Sequence, residues 1–546
     1  MIITDYLERN ARFYGWDTAL VEVNPTQERD NACNWREASL VEESSDGRPY
    51  RREMTWLTFD RHANRVANFL LSRGVKRGTK VGMLMMNCLE FLPIYFGILK
   101  AGCIVVPMNY RYSGNEIAYC LDLADIEILV FGPEFSERIT SVFDKIKVTK
   151  TFLFVGTKNC PDFAEDALHR MMFCSEAAPP VKMDPEDFAA IYFSSGTTGF
   201  PKAILHKHKA LLHSCLAEQN HHGQTKDDVF LLIPPLYHTG AKMHWFGSLV
   251  TASKAVILKG IKPEWILRTV TEERCTIVWL LVPWMQDILD CIESGRIKLD
   301  DHLLDQWRLT HVGAQPVPPS LVHRWLKYFP CHQYDTNYGL SESLGPGCVH
   351  LGVENVNKVG AIGVAGYGWE TKITDEKGNT VKPGEVGELC VKGPAVMIEY
   401  YKNPQATQEI LHEGWLLTGD MAKTDEDGFI YLVDRKKDVI ISGGENLYPV
   451  EIEDFMRKFD KIKDVAVIGM PDARLGEQAV AIVEIKDGMA CTKEELDEFC
   501  LGMPRYKRPK NIFFDVIPRN PTGKIEKPVL RKRYNKVSLV EAQINS

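Results

Sequence analysis

Apolar segments of strand length alternate with amphipathic segments over the first quarter of the chain. The predicted elements, in chain order, are a helix and a strand within 5–24, a helix over 55–74, strands at 80–85, 103–107 and 126–131, and helices over 90–101 and 113–123. This alternation is typical of an α/β sheet whose faces are covered by helices. Residues 25–52 are polar and contain Gly and Pro, which predicts a surface excursion.

The same alternation returns in the middle of the chain and then changes character twice. The predicted elements there are a helix over 208–219, a strand at 228–233, a helix over 244–252, a strand at 255–258 and a further helix–strand unit over 263–282. Residues 368–400 contain short strands and turn signals, which predict a small β-rich subdomain. A run of charges at 434–438 indicates a domain boundary, and the remainder suits a small α+β domain.

One stretch, residues 192–202, predicts a loop that binds an anion. Its sequence is Tyr-Phe-Ser-Ser-Gly-Thr-Thr-Gly-Phe-Pro-Lys, which follows an apolar segment that reads as a buried strand. Glycines free the backbone N–H groups, four hydroxyls add donors, and Lys202 adds a positive charge suited to a polyphosphate. The spacing is not that of a Walker A loop. Taken alone, the stretch is also compatible with a flexible polar surface turn.

Four further stretches carry residues suited to nucleotide chemistry. Residues 335–342 bring Tyr338, whose ring can stack on a purine, close to Glu342, which can hold a hard cation. Residues 413–420 end in Asp420 on a glycine turn, where a carboxylate can accept ribose hydroxyls. Residues 442–446 allow a close backbone approach, and 518–524 present Lys524 on a turn. Each stretch alone also fits an ordinary core or surface position.

The composition narrows the class of protein. Lys and Arg number 65 against 73 Asp and Glu, so the net charge is −8, which argues against a nucleic-acid partner. Fourteen cysteines include no Cys-x-x-Cys pair, so no zinc knuckle or redox dithiol is indicated. The most apolar region, 91–108, is interrupted by Lys100, and the amino terminus lacks a secretory pattern. We therefore expect a cytoplasmic protein without an integral membrane segment.

The five stretches, in this order, resemble the adenylate-forming superfamily, which contains acyl-CoA synthetases, adenylation domains and luciferases. The resemblance spans nearly the whole chain and is strongest to the AMP-forming acyl-CoA synthetases. It implies an amino-terminal domain over 1–434, built from two α/β sheets and a small β-rich subdomain, a hinge at 435–437 and a mobile α+β domain over 438–546. The implied reaction joins a carboxylic acid to ATP as acyl-AMP and then to coenzyme A.

The resemblance also implies roles for individual residues in the first half-reaction. Lys524, Glu342, Thr197 and Lys202 would be catalytic, with Glu342 and Thr197 holding Mg²⁺ and Lys524 bridging the acyl carboxylate and the α-phosphate. The residues implied to bind ATP or AMP are Ser194, Ser195, Gly196, Thr197, Thr198, Gly199, Lys202, Gly313, Ala314, Gln315, Asp335, Asn337, Tyr338, Gly339, Ser341, Asp420, Arg435 and Lys524.

For the second half-reaction, the resemblance implies a domain rotation about Lys437 that brings in a loop for coenzyme A. The implied CoA-binding residues are Ser442, Gly443, Gly444 and Glu445, and the implied acyl-pocket residues are His238, Trp245, Val312, Gly339 and Leu344. The apolar residues near His238 favour a medium-chain, cyclic or aromatic acid over acetate. Two small departures from the family pattern, Ala203 and Ser341, are expected to cost little activity.

Three other functions remain open from the sequence. A free-standing adenylation enzyme could load a carrier protein instead of coenzyme A, and a luciferase-like oxygenase would use the same adenylation residues. A non-catalytic nucleotide binder is disfavoured because Lys202, Glu342, Asp420, Arg435 and Lys524 are all present. The expected partners are the acid, ATP and CoA, and the chain could be a monomer or a homodimer.

Overall fold

The computed structural model describes residues 1–25, 50–156, 158–194, 201–313, 317–443, 445–472, 474–519 and 524–534. Most of the predicted excursion at 25–52 lies outside the described residues. None of the helices in these ranges is both long enough and apolar enough to cross a bilayer.

Helices and strands alternate through most of the described chain. The α-helices are α1 Ile3–Phe13, α2 Trp56–Ser72, α3 Phe91–Lys100, α4 Gly114–Leu123, α5 Ser136–Thr140, α6 Ala167–Met172, α7 His208–His222, α8 Thr239–Thr251, α9 Pro263–Glu273, α10 Val282–Glu293, α11 Pro319–Tyr328, α12 Pro404–Ile410, α13 Pro449–Met456 and α14 Lys493–Phe499. The strands are β1 Thr18–Asn24, β2 Tyr50–Thr55, β3 Lys80–Leu84, β4 Ile104–Pro107, β5 Ile128–Phe131, β6 Thr151–Phe154, β7 Glu165–Asp166, β8 Phe188–Ser194, β9 Lys202–Lys207, β10 Val229–Leu232, β11 Lys254–Leu258, β12 Ile277–Leu281, β13 Leu309–Gly313, β14 Gln333–Asp335, β15 Asn337–Leu340, β16 Gly345–His350, β17 Val364–Ala365, β18 Glu370–Thr374, β19 Gly387–Lys392, β20 Glu399–Tyr400, β21 Leu411–His412, β22 Trp415–Thr424, β23 Ile430–Arg435, β24 Ile440–Ser442, β25 Glu445–Leu447, β26 Ile462–Asp472, β27 Gly476–Ile485 and β28 Asn511–Phe514.

Two large sheets form the amino-terminal part, as the alternation predicts. One has the strand order β20-β9-β8-β4-β3-β5-β6-β7, and the other has the order β14-β13-β12-β10-β11-β1-β2. Most neighbouring strands run parallel, and their side chains are buried on both faces, which explains the nearly continuous apolar runs at β4, β5 and β12. The α/β fold class is confirmed.

Helices α2, α3, α7 and α8 contribute side chains to the largest core cluster, together with residues of both sheets. The ring of Phe96 in α3 packs edge-on against Phe59 of α2 and against Phe246 of α8, with centroid distances of 5.4 and 5.8 Å. Every residue of α3 is buried, so the pattern there is apolar all round rather than amphipathic.

Helix α8 begins five residues earlier than the sequence pattern predicts, at Thr239 instead of 244. His238 caps it, since its Nδ1 accepts a hydrogen bond from the backbone N–H of Gly240 at 3.2 Å. Threonine and glycine in the first turn are weak helix formers. A prediction based on helix propensity therefore places the start of α8 too late.

The remaining strands form three smaller sheets. Strands β15–β17 make a three-stranded sheet. Strands β18, β19, β21, β22 and β23 make a β-rich unit that begins where predicted but continues to Arg435, beyond the predicted end at 400, while β20 pairs with β9 in a large sheet. The last sheet consists of β24–β28, and none of its strands pairs with an earlier strand in the described parts of the chain. The predicted domain boundary at 434–438 therefore falls at the turn between two sheets, after β23.

Candidate active site

The predicted anion-binding loop is held by the hairpin of β8 and β9. Ser194 at the end of β8 lies directly opposite Lys202 at the start of β9 in the antiparallel register. The structure thus brings the two ends of the loop together. The predicted residues Ser195, Gly196, Thr197, Thr198 and Gly199 lie outside the described residues.

Lys202 and Glu342 meet at the ring of Tyr400, a residue that the sequence analysis missed. The Lys202 ammonium lies 4.4 Å from the centre of the Tyr400 ring, and the Tyr400 hydroxyl donates to Glu342 Oε1 at 2.6 Å. Tyr400 stands in β20, which pairs with β9 beside the loop. No local motif marks this tyrosine, because its role depends on that strand pairing.

Asp420 links the strand that carries Tyr338 to the strand that carries Arg435. The Tyr338 hydroxyl donates to Asp420 Oδ2 at 2.5 Å, and Asp420 Oδ1 lies 3.3 Å from Arg435 Nε. Asp420 and Arg435 are register partners in β22 and β23, so the sheet fixes their pairing. The two predicted ribose-binding residues are therefore neighbours, with the predicted adenine-stacking residue beside them.

Lys524 reaches this group from the carboxyl-terminal part of the chain. Burial and the charge of Arg435 lower the pKa of Lys524 to about 8, while Asp420 and Glu342 act in the opposite direction. Burial, together with the charges of Lys524 and Lys242, also lowers the pKa of His238 to about 3, so its imidazole is neutral at pH 7.

Beyond His238, the ring of Trp279 lies against two glycines. A Cβ atom on Gly240 would meet the Trp279 ring at 3.1 Å, and one on Gly313 would meet Trp279 Nε1 at 3.4 Å. Gly313 ends β13, and the Asn337 amide oxygen lies 3.6 Å from the same Cβ position. The following residues Ala314 and Gln315 lie outside the described residues.

Gly339 and Leu344 shape the turn between β15 and β16. A Cβ atom on Gly339 would lie 1.7 Å from the backbone oxygen of Gly345, so only glycine fits at this position. Leu344 has a left-handed backbone with φ of 62° and is fully buried next to the start of β16. Ser341 begins the short helical turn before it, and its carbonyl bonds to the imidazole of His206 at 2.9 Å.

The side chains of two predicted acyl-pocket residues, Trp245 and Val312, point into hydrophobic cores. Trp245 is fully buried and packs against Phe59, Phe96 and Phe246, in the core under α2 and α3. Val312 lies in a second core cluster with Val278 of β12, on the face of the sheet opposite His311 and Gly313. Strand alternation and the face of α8 decide these directions, and we remove both residues from the proposed site.

Asp335, predicted to bind nucleotide, is fully buried and is bonded within the protein. Its Oδ2 lies 3.1 Å from His222 Nε2, and its Oδ1 accepts the backbone N–H of Gly352 at 2.8 Å. Asn337, two residues further on, donates from Nδ2 to Glu218 Oε1 at 2.8 Å. We therefore remove the Asp335 side chain from the proposed nucleotide site as well.

Asp335 belongs to a buried polar group that we call the histidine cluster, which the sequence analysis also missed. Its members are Glu218, His222, His244, His311, Asp335 and His350, each at most 2% exposed. Burial raises the pKa of Glu218 well above its usual range. Burial acts the same way on Asp335, but hydrogen bonds from His222 and His311 outweigh it and hold the Asp335 pKa well below its usual range.

The predicted hinge and CoA loop lie at the start of the last sheet. Lys437 is an exposed residue in the turn after β23. Ser442 and Glu445 face each other across the hairpin of β24 and β25, and Gly443 has a left-handed φ of +61° at its tip. Gly443 and Glu445 are exposed, and Gly444 lies outside the described residues.

Two family models together match most of the chain. Residues 33–401 match the family model of the AMP-binding enzymes, and residues 451–524 match that of the AMP-binding enzyme C-terminal domain. The chain is 30% identical to a long-chain-fatty-acid–CoA ligase of Mycobacterium tuberculosis over 503 residues, which span 91% of this chain and 95% of that protein. It is 31% identical to a feruloyl-CoA synthase of Amycolatopsis over 88% of this chain and 94% of that protein.

Solved structures show the same fold over nearly the full length. An anthranilate CoA ligase in complex with anthranoyl-AMP has a TM-score of 0.85 at 24% identity, covering 99% of this chain and 98% of that one. ATP-bound MatB from Rhodopseudomonas palustris has a TM-score of 0.83 at 26% identity, covering 98% and 100%. The architecture of a large amino-terminal part followed by a smaller carboxyl-terminal part is thus shared.

Proposed function

The chain belongs to the family of AMP-binding enzymes, and we propose that it is an ATP-dependent acyl-CoA synthetase. Curated relatives that span most of its length are CoA ligases, which supports an AMP-forming CoA ligase. The observation that carries the proposal is the contact of Asp420 with both Tyr338 and Arg435, because these three side chains come from separate strands and suit the adenosine part of one adenylate.

In the first step, the carboxylate oxygen of the acid attacks the α-phosphorus of ATP, and the bond to pyrophosphate breaks. Two anions must approach each other, so positioning and electrostatic stabilisation account for most of the catalysis. The Lys524 ammonium would lie between the carboxylate and the α-phosphate, while Lys202 would act on the outer phosphates. Asp420, fixed by Tyr338 and Arg435, would accept the ribose hydroxyls.

Glu342 would hold Mg²⁺ together with Thr197. A carboxylate is the hard oxygen ligand that Mg²⁺ prefers, and the Tyr400 hydroxyl fixes Glu342 by bonding only one of its oxygens. The bound ion would supply positive charge to the phosphates.

In the second step, the thiol of coenzyme A attacks the acyl carbon and AMP leaves. We propose that the carboxyl-terminal part turns about Lys437, which removes Lys524 and brings in the hairpin of Ser442, Gly443, Gly444 and Glu445. The exposure of that hairpin and the short turn after β23 support this step, since a few residues at an element end usually absorb such a rotation.

For the substrate, we propose a medium-chain, cyclic or aromatic acid. The Trp279 ring, bordered by Gly240 and Gly313, gives a flat aromatic wall for the acyl group next to the neutral His238. The relatives act on both long-chain and aromatic acids by name, so they do not decide between these classes.

Product analysis tests the proposal directly. The purified protein is incubated with MgATP and a panel of aliphatic and aromatic acids, with and without coenzyme A. We expect acid-dependent AMP and pyrophosphate, and a CoA thioester with one class of acid. Acyl-AMP that coenzyme A never converts to a thioester would favour a carrier protein as acceptor. The absence of acid-dependent AMP across the panel would contradict the proposal.

A further inference from the structure

We propose that the histidine cluster is a binding site for one divalent transition-metal ion, zinc in the first place, held by His222, His311 and Asp335. The proposal rests on this cluster alone and is independent of the reaction. The site lies between α7, β13 and β14. Gly313 ends β13, and β15, which carries Tyr338, follows β14 in the chain. The three ligand residues are each at most 2% exposed.

The distances between the three ligand atoms suit a metal ion. His222 Nε2 lies 3.1 Å from His311 Nδ1 and 3.1 Å from Asp335 Oδ2, and the third side of the triangle measures 3.4 Å. Zinc–nitrogen and zinc–oxygen bonds of about 2.0–2.2 Å at tetrahedral angles separate neighbouring ligand atoms by about 3.3 Å. The triangle therefore has the size of one face of a tetrahedral zinc site.

Hydrogen bonds alone cannot make all three contacts among His222 Nε2, His311 Nδ1 and Asp335 Oδ2 favourable. Ionised Asp335 accepts, so two good bonds to it require a proton on both His222 Nε2 and His311 Nδ1, which then face each other at 3.1 Å without a lone pair between them. If His311 Nδ1 instead accepts from His222, its lone pair faces the carboxylate oxygen at 3.4 Å. A cation inside the triangle makes all three contacts favourable, because each atom then presents a lone pair.

One of the proposed ligands is held in place by a neighbouring backbone group. Asp335 Oδ1 accepts the Gly352 backbone N–H, which fixes the carboxylate and leaves Oδ2 for the ion. Glu218 Oε2 lies 3.6 Å from His222 Nε2 and 3.3 Å from His244 Nε2. It accepts no hydrogen bond from the described residues, so it can provide a fourth ligand. His244 also belongs to the group, since its ligand nitrogen lies within 4.8 Å of those of His222 and His311.

The chemical nature of the ligand atoms restricts which metal ions the site can bind. Imidazole nitrogen combined with carboxylate oxygen suits Zn²⁺ and its first-row neighbours, whereas Mg²⁺ and Ca²⁺ prefer sites built from oxygen alone. The buried carboxylate of Asp335, whose pKa is held low by its hydrogen bonds, also makes a dication electrostatically favourable at this position. The proposed ion is therefore distinct from the Mg²⁺ that Glu342 would hold.

Metal analysis of untagged full-length protein tests the proposal without any activity assay. After dialysis without ATP or Mg²⁺, we expect about one equivalent of zinc per chain by plasma mass spectrometry. Protein stripped of metal should bind added Co²⁺ and develop the visible ligand-field bands of a tetrahedral nitrogen–oxygen site. The absence of both bound zinc and Co²⁺ bands would overturn the proposal.

Near-isosteric variants locate the site. The affinity for the metal should fall at least tenfold in His222→Gln and in Asp335→Asn, since each substitution removes one ligand atom. The matched control is His332→Gln, which removes a buried histidine that is bonded to Thr310 outside the cluster, and it should retain metal. Circular dichroism checks that each variant is folded. Folded His222→Gln and Asp335→Asn proteins that retain a full equivalent of metal would overturn the assignment.

Discussion

The protein contains two groups of converging charged side chains that differ in how they are built. The first, around Asp420, joins strands of the β-rich unit to Lys524 of the carboxyl-terminal part, and Arg435 in it is partly exposed. The second, the histidine cluster, lies wholly within the amino-terminal part and is almost completely buried. Both contain buried carboxylates, but in the first group the partly exposed Arg435 remains in contact with solvent.

The difference shows what burial does to a polar group. In the proposed two-step reaction, Lys524 from another part of the chain would join the first group for one step and leave it for the other. In the second, every buried carboxylate and imidazole needs a permanent partner, because an unpaired buried charge is very costly. One group is therefore suited to catalysis, and the other fixes α7, β13 and β14 relative to each other.

The largest effect on stability is expected from Asp335→Ala, which removes the carboxylate shared by the histidine cluster. Loss of a buried hydrogen-bond acceptor leaves its donors unsatisfied, which costs about 1–3 kcal/mol for each such group. We expect a clear drop in the urea concentration at the midpoint of unfolding. Asp427→Ala removes an exposed carboxylate paired with Lys358 and should change stability by less than about 0.5 kcal/mol. Equal effects of the two variants would refute a stabilising role for the cluster.

The largest effect on catalysis is expected from Lys524→Ala. Removal of one preorganised electrostatic group typically costs about 10²–10³ in rate, so the acid-dependent formation of acyl-AMP should fall by that factor. Conversion of supplied acyl-AMP by coenzyme A should change little, since Lys524 would leave the site for that step. Lys493→Ala, in an exposed pair with Asp497 on α14, serves as the control. An equal loss of rate in both half-reactions would contradict the proposal that Lys524 leaves the site before the second step.

The same lysine should give adenylation a pH dependence. Only the protonated ammonium can bridge two anions, and the Lys524 pKa of about 8 lies below the ordinary value of 10.5. Adenylation should therefore be constant below pH 8 with respect to this group and fall as the pH rises through 8. Lys524→Arg keeps its charge at all these pH values, so its residual rate should lack this fall. If the adenylation rate of Lys524→Arg still falls above pH 8, a group other than Lys524 causes the pH dependence.

The smallest effect is expected from Tyr338→Phe, which removes the hydroxyl that orients Asp420. The net contribution of one such hydrogen bond is about 0.5–1.5 kcal/mol, so the KM for ATP should rise a few-fold with the fold intact. Tyr367→Phe, at an exposed tyrosine, is the matched control. No change in the KM for ATP would show that Asp420 is positioned by Arg435 and the strand register alone.

The sequence by itself determined the class of fold, the family and most residues of the first group. Apolar periodicity depends on local geometry, and the motif residues lie in short sequence segments that can be recognised one by one. These residues are Lys202, Tyr338, Glu342, Asp420 and Lys524. Such features can be recognised from the order of residues in the sequence alone. The start of α8 was placed late because a capping histidine replaced the usual signals.

Only the tertiary structure decided which side chains share a space. Trp245 and Val312 point into cores because of the helix face and the strand alternation, and Tyr400 joins Lys202 to Glu342 through a strand pairing across about 200 residues of chain. The histidine cluster unites residues from 218 to 350 that form no motif. Burial and contact between distant segments arise from packing, and for that reason no local pattern predicts them.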